Sequence, residues 1–239
     1  MNVVKNLQNS TTRIPLRHWF AFVFLVAMAA ILSFEDVSIS QWMTAKHLPS
    51  DIKKAIQLSE AFAHGAGVGV ILLAVAILAV QRRERIGRLI LCPITAGLMA
   101  NLIKMTIARY RPLRYYQIAA QADPDAGLNV PNTFADWLPF LNADIAGKHV
   151  SQSFPSGHTA TAFALAVGLS WMFPKGRFLF YGLACMAGLQ RIVSQSHWPS
   201  DVLVGAAVGV FCGTVICHSR LAHRVFSRIE RRKEVEVPS

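Results

Sequence analysis

The sequence predicts an all-α integral membrane protein, a bundle of six transmembrane helices, and three observations carry this prediction. Hydrophobic residues make up 53% of the 239 residues and charged residues only 15%, whereas a soluble globular domain carries about 25% charge. Six separate apolar stretches approach the roughly 20 residues that a helix needs to cross a bilayer. Basic residues concentrate in alternate connections between these stretches. This composition excludes a disordered chain, a collagen-like chain and an ordinary cytosolic enzyme.

The six apolar stretches are the predicted spans. They lie at about residues 19–34, 61–80, 86–108, 159–173, 178–193 and 202–217. The first follows the basic residues Lys5, Arg13 and Arg17, so a cleaved signal peptide is an alternative interpretation. Its apolar run is long for that role and no convincing small-residue cleavage site follows it. We therefore interpret the first stretch as a span.

The distribution of basic residues predicts the orientation. Of the 24 Lys and Arg residues, 15 fall on the side that holds the N-terminus and the basic tail 218–239, and seven fall on the other side. The remaining two, Lys104 and Arg191, lie at the ends of spans. Because cytoplasmic loops carry an excess of Lys and Arg, we expect both termini in the cytoplasm.

Two long connections are predicted to be extracytoplasmic. Residues 35–60 contain Pro49-Ser50-Asp51 followed by apolar residues at helical spacing, which predicts a short amphipathic helix at the interface. The second connection, 113–154, is longer than most structureless loops, and such loops tend to be functional. We expect it to contribute to substrate choice through Trp137 and Phe140. Simple anchoring of these two aromatic residues in the interfacial belt is the equal alternative.

The first unusual polar cluster lies at the end of the third span. Lys104 falls inside the apolar run, and Arg111 follows seven residues later. This spacing places both side chains on one face of a helix that Pro112 would end. Taken alone, Lys104 is an ordinary snorkelling side chain and Arg111 an ordinary interfacial residue.

The second cluster opens the fourth span. Pro155, Ser156 and Gly157 suit a tight turn into a helix, and His158 follows them. The free N–H groups of a helix start favour an anion. The functional interpretation is a phosphate cradle beside an acid. The alternative is a plain helix cap with a hydrated histidine.

The third cluster lies between the last two spans. Arg191 ends the fifth span, His197 lies in the short loop and Asp201 begins the sixth. Asp201 is predicted to accept a hydrogen bond from one nitrogen of His197, which would leave the other nitrogen free as a nucleophile. Separately, these residues would be an anchor, a surface histidine and a helix cap.

The predicted topology brings all three clusters to the same extracytoplasmic face. Three cations, a helix start and two histidines at one membrane surface would be costly without a ligand, and a phosphoryl group satisfies them all. The three cations could supply the charge that Mg²⁺ supplies in kinases. The four cysteines lie in apolar runs without metal-ligand spacing. We therefore expect a metal-independent site with no cofactor.

These motifs have a counterpart in a known family. Lys104-x6-Arg111-Pro112, Pro155-Ser156-Gly157-His158 and Arg191-x5-His197-x3-Asp201 closely resemble the three-part signature of the type 2 phosphatidic acid phosphatase superfamily. The resemblance covers about residues 100–210. It departs at Gln190, where the family usually has Ser, which affects the local support of the site.

The resemblance implies a role for each signature residue. Five residues would bind the phosphate, namely Lys104, Arg111, Arg191, Ser156 and Gly157. His197 would attack phosphorus and form a phosphohistidine, oriented by Asp201. His158 would protonate the leaving group and then activate water.

The predicted function is therefore that of a lipid phosphatase forming one membrane domain, 1–239, in a bacterial inner membrane. Its partners are the bilayer and a lipid phosphate, not a nucleic acid. Substrate candidates are phosphatidate, phosphatidylglycerophosphate, undecaprenyl diphosphate, diacylglycerol diphosphate and the 1-phosphate of lipid A. A phosphotransferase with the same residues is the alternative. A soluble vanadate-dependent haloperoxidase and a six-span transporter are disfavoured, since the spans argue against the first and the polar residues gather at one face rather than mid-membrane.

Overall fold

The computed structural model describes residues 14–45, 49–121, 133–139 and 152–231, and most of them are helical. The helices in chain order are α1 (Leu16–Leu32), α2 (Asp36–Ala45), α3 (Ser50–Leu58), α4 (Gly65–Leu78), α5 (Ile86–Lys104), α6 (Pro112–Gln121), α7 (Gly157–Met172), α8 (Arg177–Val193), α9 (Pro199–His218) and α10 (Arg220–Arg231). Short 3₁₀ segments are Ser59–Phe62, Val80–Arg85 and Pro174–Gly176. Strands β1 (Ile107–Arg109) and β2 (Phe134–Trp137) pair antiparallel.

A helix occupies each of the six predicted spans, and the mainly helical fold class is confirmed. Within the described residues, two helical segments, Val80–Lys104 and Pro199–His218, are long and apolar enough to cross a bilayer. The number rises to four if two bent pairs each count as one span. These pairs are α1 with α2, bent by 85°, and α3 with α4, bent by 67°. The number of six spans and their orientation stay predictions.

The third predicted span is shorter than the sequence indicated. Helix α5 ends at Lys104, so Arg111 is not two turns further along the same helix. The backbone of Ile107–Arg109 instead pairs with β2, and the Ser153 N–H donates to the Arg109 carbonyl at 3.0 Å. These contacts replace the helical hydrogen bonds. The expectation of a helix running to Pro112 was wrong, and the fold includes a small sheet.

The two long connections carry more regular structure than expected. Helix α3 lies where the short amphipathic helix was predicted, and α2 precedes it. The connection 113–154 contains most of α6, all of β2 and an exposed Trp137. Phe140 lies outside the described residues.

Close packing of α9 against α7 positions the start of both helices. A Cβ on Gly205 would overlap the main-chain oxygen of Ser156. A Cβ on Gly209 would overlap the main-chain oxygen of Ala160 in the same way. Glycine at these positions allows the two backbones to approach, as small residues do in membrane helix pairs. Where the two helices begin, the Ser156 N–H donates to the Asp201 carbonyl oxygen at 3.0 Å, so the second and third motifs lie side by side.

Large apolar side chains cover the outside of the bundle. They are exposed on α1, α4 and α5, and include Phe20, Phe24, Leu73, Ile77 and Leu98. A soluble protein rarely exposes apolar surface this continuously. The lipid chains of a membrane are the environment that this surface fits.

Candidate active site

A cavity of about 600 Å³ lies at the end of the bundle where α5 ends and α7 and α9 begin. Six of the eight predicted site residues line it, namely Lys104, Arg111, Gly157, His158, Arg191 and His197. The cavity therefore brings together side chains from three separate motifs. The other two predicted residues, Ser156 and Asp201, are fully buried behind the wall.

The His197 ring is held by a backbone carbonyl. Its Nδ1 lies 2.7 Å from the Ser153 oxygen, which can only accept, so Nδ1 carries the proton. Nε2 then keeps its lone pair. The carboxylate of Asp201 is 3.9 Å from Nδ1, too far for a hydrogen bond. The expected direct hydrogen bond between Asp201 and His197 is absent because the Ser153 carbonyl takes its place.

The environment of His197 keeps its ring neutral. Burial lowers the pKa of His197 below its ordinary value of 6.5. The charges of Lys104 and Arg111 lower this pKa further, while Asp201 opposes them. A lowered pKa means that the neutral ring, the form able to attack phosphorus, is present at neutral pH.

We expect the His197 ring of the substrate-free protein to titrate below pH 6.5. The nucleophile is then lost only as the pH falls through the lowered pKa, and the neutral ring is the predominant form above pH 6.5. Histidine NMR of the protein in detergent measures this titration, with His197→Ala to assign the resonance. Titration of His197 at or above pH 6.5 would contradict the described environment.

Asp201 belongs to a buried ion network rather than to the cavity wall. Its Oδ1 accepts from Arg109 Nη1 at 2.5 Å, and its Oδ2 accepts from the Ser153 hydroxyl at 2.5 Å and from the Trp198 N–H at 3.0 Å. Arg109 also donates through Nη2 to Asp36 Oδ2 at 2.6 Å. Through these bonds Asp201 holds two neighbours of His197: the side chain of Ser153, whose carbonyl contacts the ring, and the backbone N–H of Trp198, which follows His197 in the chain.

One arginine thus neutralises two buried carboxylates. The side chains of Arg109, Asp36 and Asp201 are all about 1% exposed or less. The guanidinium also lies over the rings of Phe134, at 4.4 Å, and Trp198, at 5.6 Å. Such cation–π contacts suit a desolvated arginine. Arg109 therefore ties α2, β1 and α9 together directly beneath the cavity.

The start of α7 forms as predicted, with one difference. Ser156 is the N-cap, and its Oγ accepts from the Thr159 N–H at 3.4 Å and from the Thr159 hydroxyl at 2.9 Å. The Ser156 side chain therefore caps the helix, and Gly157 and His158 line the cavity. The N–H groups of Gly157 and His158 also lie in this first turn, where the helix offers them no carbonyl acceptor, and they are the part of the motif that is suited to an anion.

The two cations of the first motif reach the cavity from different elements. Lys104, at the end of α5, donates through Nζ to the Gln152 carbonyl at 3.2 Å. Arg111 follows β1 and is half-buried. Burial lowers the pKa of Arg111, and the charge of Arg191 lowers it further. Each of these positive charges raises the free energy of the others, so the group of cations strongly attracts an anion.

Arg191 is held on one side by two polar residues. Its Nη2 donates to Glu60 Oε1 at 2.7 Å, and its Nε donates to the Gln190 side-chain oxygen. Gln190 also donates to Glu60 Oε2 at 3.3 Å. Gln190, the departure from the family pattern, thus supports Arg191 directly. Within the part of the chain that the structure describes, Arg191 makes these bonds through Nε and Nη2, and its Nη1 can donate to a phosphate oxygen.

Sequence reasoning missed three acidic or basic residues of this region: Asp36, Glu60 and Arg109. Asp36 follows the first apolar stretch, and Glu60 directly precedes the second. Arg109 is one of the seven basic residues on the predicted extracytoplasmic side. Each of the three lies at the end of a predicted span, on the membrane face where the site was predicted. This shared position is the sequence feature that could have identified the three residues as part of the site.

Known proteins share this sequence pattern. A sequence profile of the PAP2 superfamily matches residues 85–224. The lipid A 1-phosphatase of Rhizobium johnstonii is 33% identical over 116 residues, which are 48% of this chain and 40% of that protein. The lipid A 1-phosphatase of Rhizobium etli is 30% identical over 151 residues, or 57% of each chain. This chain therefore spans about half the length of the curated relatives it matches.

A solved structure shares the fold. The transmembrane PAP2-type phosphatidylglycerolphosphate phosphatase of Bacillus subtilis superposes with a TM-score of 0.54, covering 91% of this chain and 98% of that chain at 16% identity. At this identity the likeness concerns the fold. The profile match, which covers more than half of the chain, confirms the resemblance of the three motifs: the chain belongs to the PAP2 superfamily.

Proposed function

We propose that the chain is an integral membrane lipid phosphatase that hydrolyses a phosphate monoester or diphosphate through a phosphohistidine intermediate. The observation that carries the proposal is the His197 ring, which has Nδ1 bound to the Ser153 carbonyl at 2.7 Å and lines the same cavity as three cations. A neutral imidazole with a fixed tautomer is a competent nucleophile. Cations around it suit the charge of a phosphoryl group in the transition state.

In the first step, Nε2 of His197 attacks phosphorus and the bond from phosphorus to the lipid oxygen breaks. Lys104, Arg111 and Arg191 hold the non-bridging oxygens together with the N–H of Gly157. His158, which lines the same cavity, gives its proton to the departing lipid oxygen. The products are a phosphohistidine and the dephosphorylated lipid.

In the second step, water attacks the phosphohistidine. His158, now neutral, accepts a proton from this water, and the bond between phosphorus and Nε2 breaks. Inorganic phosphate leaves and both histidines return to their first state. The contribution of this chain is positioning and charge stabilisation, which are the main requirements of phosphoryl transfer. We propose that the three side-chain cations perform this role without a metal ion.

A lipid A-type glycosyl phosphate is the substrate we favour among the candidates. Two relatives of this chain carry the name lipid A 1-phosphatase, and the aligned segments of 116 and 151 residues are about half of this chain. The cavity opens at the end of the helices, where a headgroup phosphate lies when the acyl chains occupy the bilayer. A cavity at the boundary between the apolar helices and the aqueous phase fits a lipid, which has an apolar tail and a polar headgroup, better than a soluble phosphate ester.

We further propose six spans with both termini in the cytoplasm and the cavity at the extracytoplasmic face of a bacterial inner membrane. The cavity lies where α8 ends, whereas Arg177 at the start of α8 and Arg82 and Arg85 before α5 lie toward the opposite end of these helices. A positive end of this kind faces the cytoplasm. A reporter enzyme fused to the C-terminus, of a kind that is active only on the extracytoplasmic side of the membrane, tests this orientation. We expect the fusion to be inactive. Activity on the extracytoplasmic side would contradict it.

Phosphate release by purified protein in detergent tests the activity. The substrate panel is lipid A, phosphatidate, phosphatidylglycerophosphate and undecaprenyl diphosphate. We expect removal of the 1-phosphate of lipid A to have the highest kcat/KM of the four. We expect EDTA to leave the rate unchanged. A soluble sugar phosphate that turns over best would contradict the lipid assignment. Appearance of the phosphoryl group on an added alcohol, rather than as free phosphate, would indicate the phosphotransferase instead. Strict loss of activity with EDTA would contradict the metal-independent mechanism.

A further inference from the structure

A carboxylate enters the cavity from the part of the chain that precedes the PAP2 match. Glu60 lies in the 3₁₀ segment Ser59–Phe62, whereas the superfamily profile begins at residue 85. The axis bends by 67° between this segment and α4. Gly67 makes the bend possible, because a Cβ there would overlap the main chain of Ala61. The bend turns Glu60 into the wall of the cavity.

Glu60 combines a fixed position with access to the cavity. Its two oxygens accept from Arg191 at 2.7 Å and from Gln190 at 3.3 Å, and its side chain is still 39% exposed. His64, one helical turn further on, lines the same part of the wall, 6.1 Å from the His158 ring centroid to centroid. Glu60 therefore stands beside the phosphate-binding cation Arg191, in a cavity that the proposed proton donor His158 also lines.

The carboxylate changes the charge that the cavity offers to a substrate. Among the described residues that line the cavity, Lys104, Arg111 and Arg191 are cations and Glu60 is the single anion, so these four side chains carry a net charge of +2. The proton that His158 donates in the first step adds one further positive charge. A phosphate monoester carries nearly two negative charges at neutral pH. A diphosphate ester carries a further negative charge, which would lie close to Glu60. Like charges in such proximity disfavour binding.

We propose that Glu60 is a specificity-determining residue that selects lipids carrying a single phosphate group and disfavours lipid diphosphates. This inference rests on the proposed phosphatase function and narrows its substrate class to phosphate monoesters. The signature motifs provide the phosphate chemistry, and Glu60 limits the charge of the group that can occupy the site. Glu60 and Gln190 both hold Arg191. The experiment must therefore distinguish a selective role of the Glu60 charge from a role in which Glu60 only positions Arg191.

Glu60→Gln separates charge from positioning. The variant keeps an oxygen that can accept from Arg191 and removes the negative charge. The measured quantity is the ratio of kcat/KM for diacylglycerol diphosphate to kcat/KM for phosphatidate, two substrates with the same lipid tail. We expect this ratio to rise about tenfold, because the substitution removes one like-charge contact near the protein surface. The ratio does not depend on the fraction of protein that is folded. The matched control is Glu84→Gln, because Glu84 is 38% exposed, lies 3.9 Å from Arg85 and is remote from the cavity; its ratio should equal that of the wild type.

Binding provides a second measurement that does not need turnover. In a His197→Ala background, Glu60→Gln should strengthen the binding of inorganic pyrophosphate relative to inorganic phosphate by a similar factor. An unchanged ratio in both measurements, or an equal loss on both substrates, would overturn the selective role of Glu60 while leaving the phosphatase intact. A wild-type protein that hydrolyses none of lipid A, phosphatidate and diacylglycerol diphosphate, or whose turnover is unaffected by His197→Ala, would instead overturn the proposed function.

Discussion

His197→Ala is expected to reduce kcat by about 10⁴-fold or more, the size of effect seen when an enzyme loses its nucleophile. The ring provides the Nε2 lone pair, and its other nitrogen is committed to the Ser153 carbonyl. Radiolabelled substrate followed by a rapid quench should give an acid-labile phosphoprotein in the wild type and none in the variant. His158→Ala should retain the label for longer, because the activation of water is lost.

The His197→Ala protein should remain folded. The substitution leaves the bonds of Asp201 to Arg109 and Ser153 in place, and the loss concerns one hydrogen bond to a buried carbonyl, worth about 1–3 kcal/mol. Retained binding of orthovanadate or phosphate is the check that the cavity persists. His223→Ala on α10, remote from the cavity, should keep wild-type activity. Full turnover by His197→Ala would exclude the phosphohistidine mechanism.

Arg109→Ala should be the most destabilising single substitution in the region of the site. It leaves Asp36 and Asp201 buried without their shared cation, and an uncompensated buried charge costs about 3–5 kcal/mol. We expect the Tm of the detergent-solubilised protein to fall by roughly 10 °C. Activity should fall as well, because Asp201 holds the Ser153 side chain and the Trp198 backbone, the two neighbours that position His197.

Two further variants isolate the cause. Arg114→Ala, on the exposed face of α6, removes a cation from the same region and should change stability by less than about 0.5 kcal/mol. Adding Asp36→Asn to Arg109→Ala should restore part of the lost stability, since one of the two unpaired carboxylates is then removed. If Arg109→Ala is as stable as Arg114→Ala, the buried network does not hold the site together.

The sequence motifs predicted which residues take part in the proposed reaction, but not which contacts position those residues. Lys104, His158, Arg191 and His197 could be chosen because cations and histidines at the predicted membrane face require an anion. The role of Asp201 was predicted as a direct hydrogen bond to His197. That bond is replaced because Ser153, distant along the chain, supplies a carbonyl at 2.7 Å. Spacing along a helix cannot reveal a competing acceptor from another segment.

The same reasoning explains the error at the end of α5. A seven-residue spacing suggested that Lys104 and Arg111 share a helix face, and local periodicity supported it. The β1–β2 pairing removes the backbone of Ile107–Arg109 from the helix. The partner strand begins 25 residues later, so its effect was invisible to a local pattern. Arg111 still reaches the cavity, by a different path.

By itself the sequence determined the membrane class, the places of six apolar helices and the residue types that a phosphoryl group requires, because hydropathy and charge act through composition and local periodicity. The tertiary structure decided which residues support the site. Glycines on α9 allow α7 to approach, Arg109 joins two acids that lie 165 residues apart in the chain, and the bend before α4 turns Glu60 toward Arg191. Such contacts depend on distances between remote segments, which arise only when the helices pack.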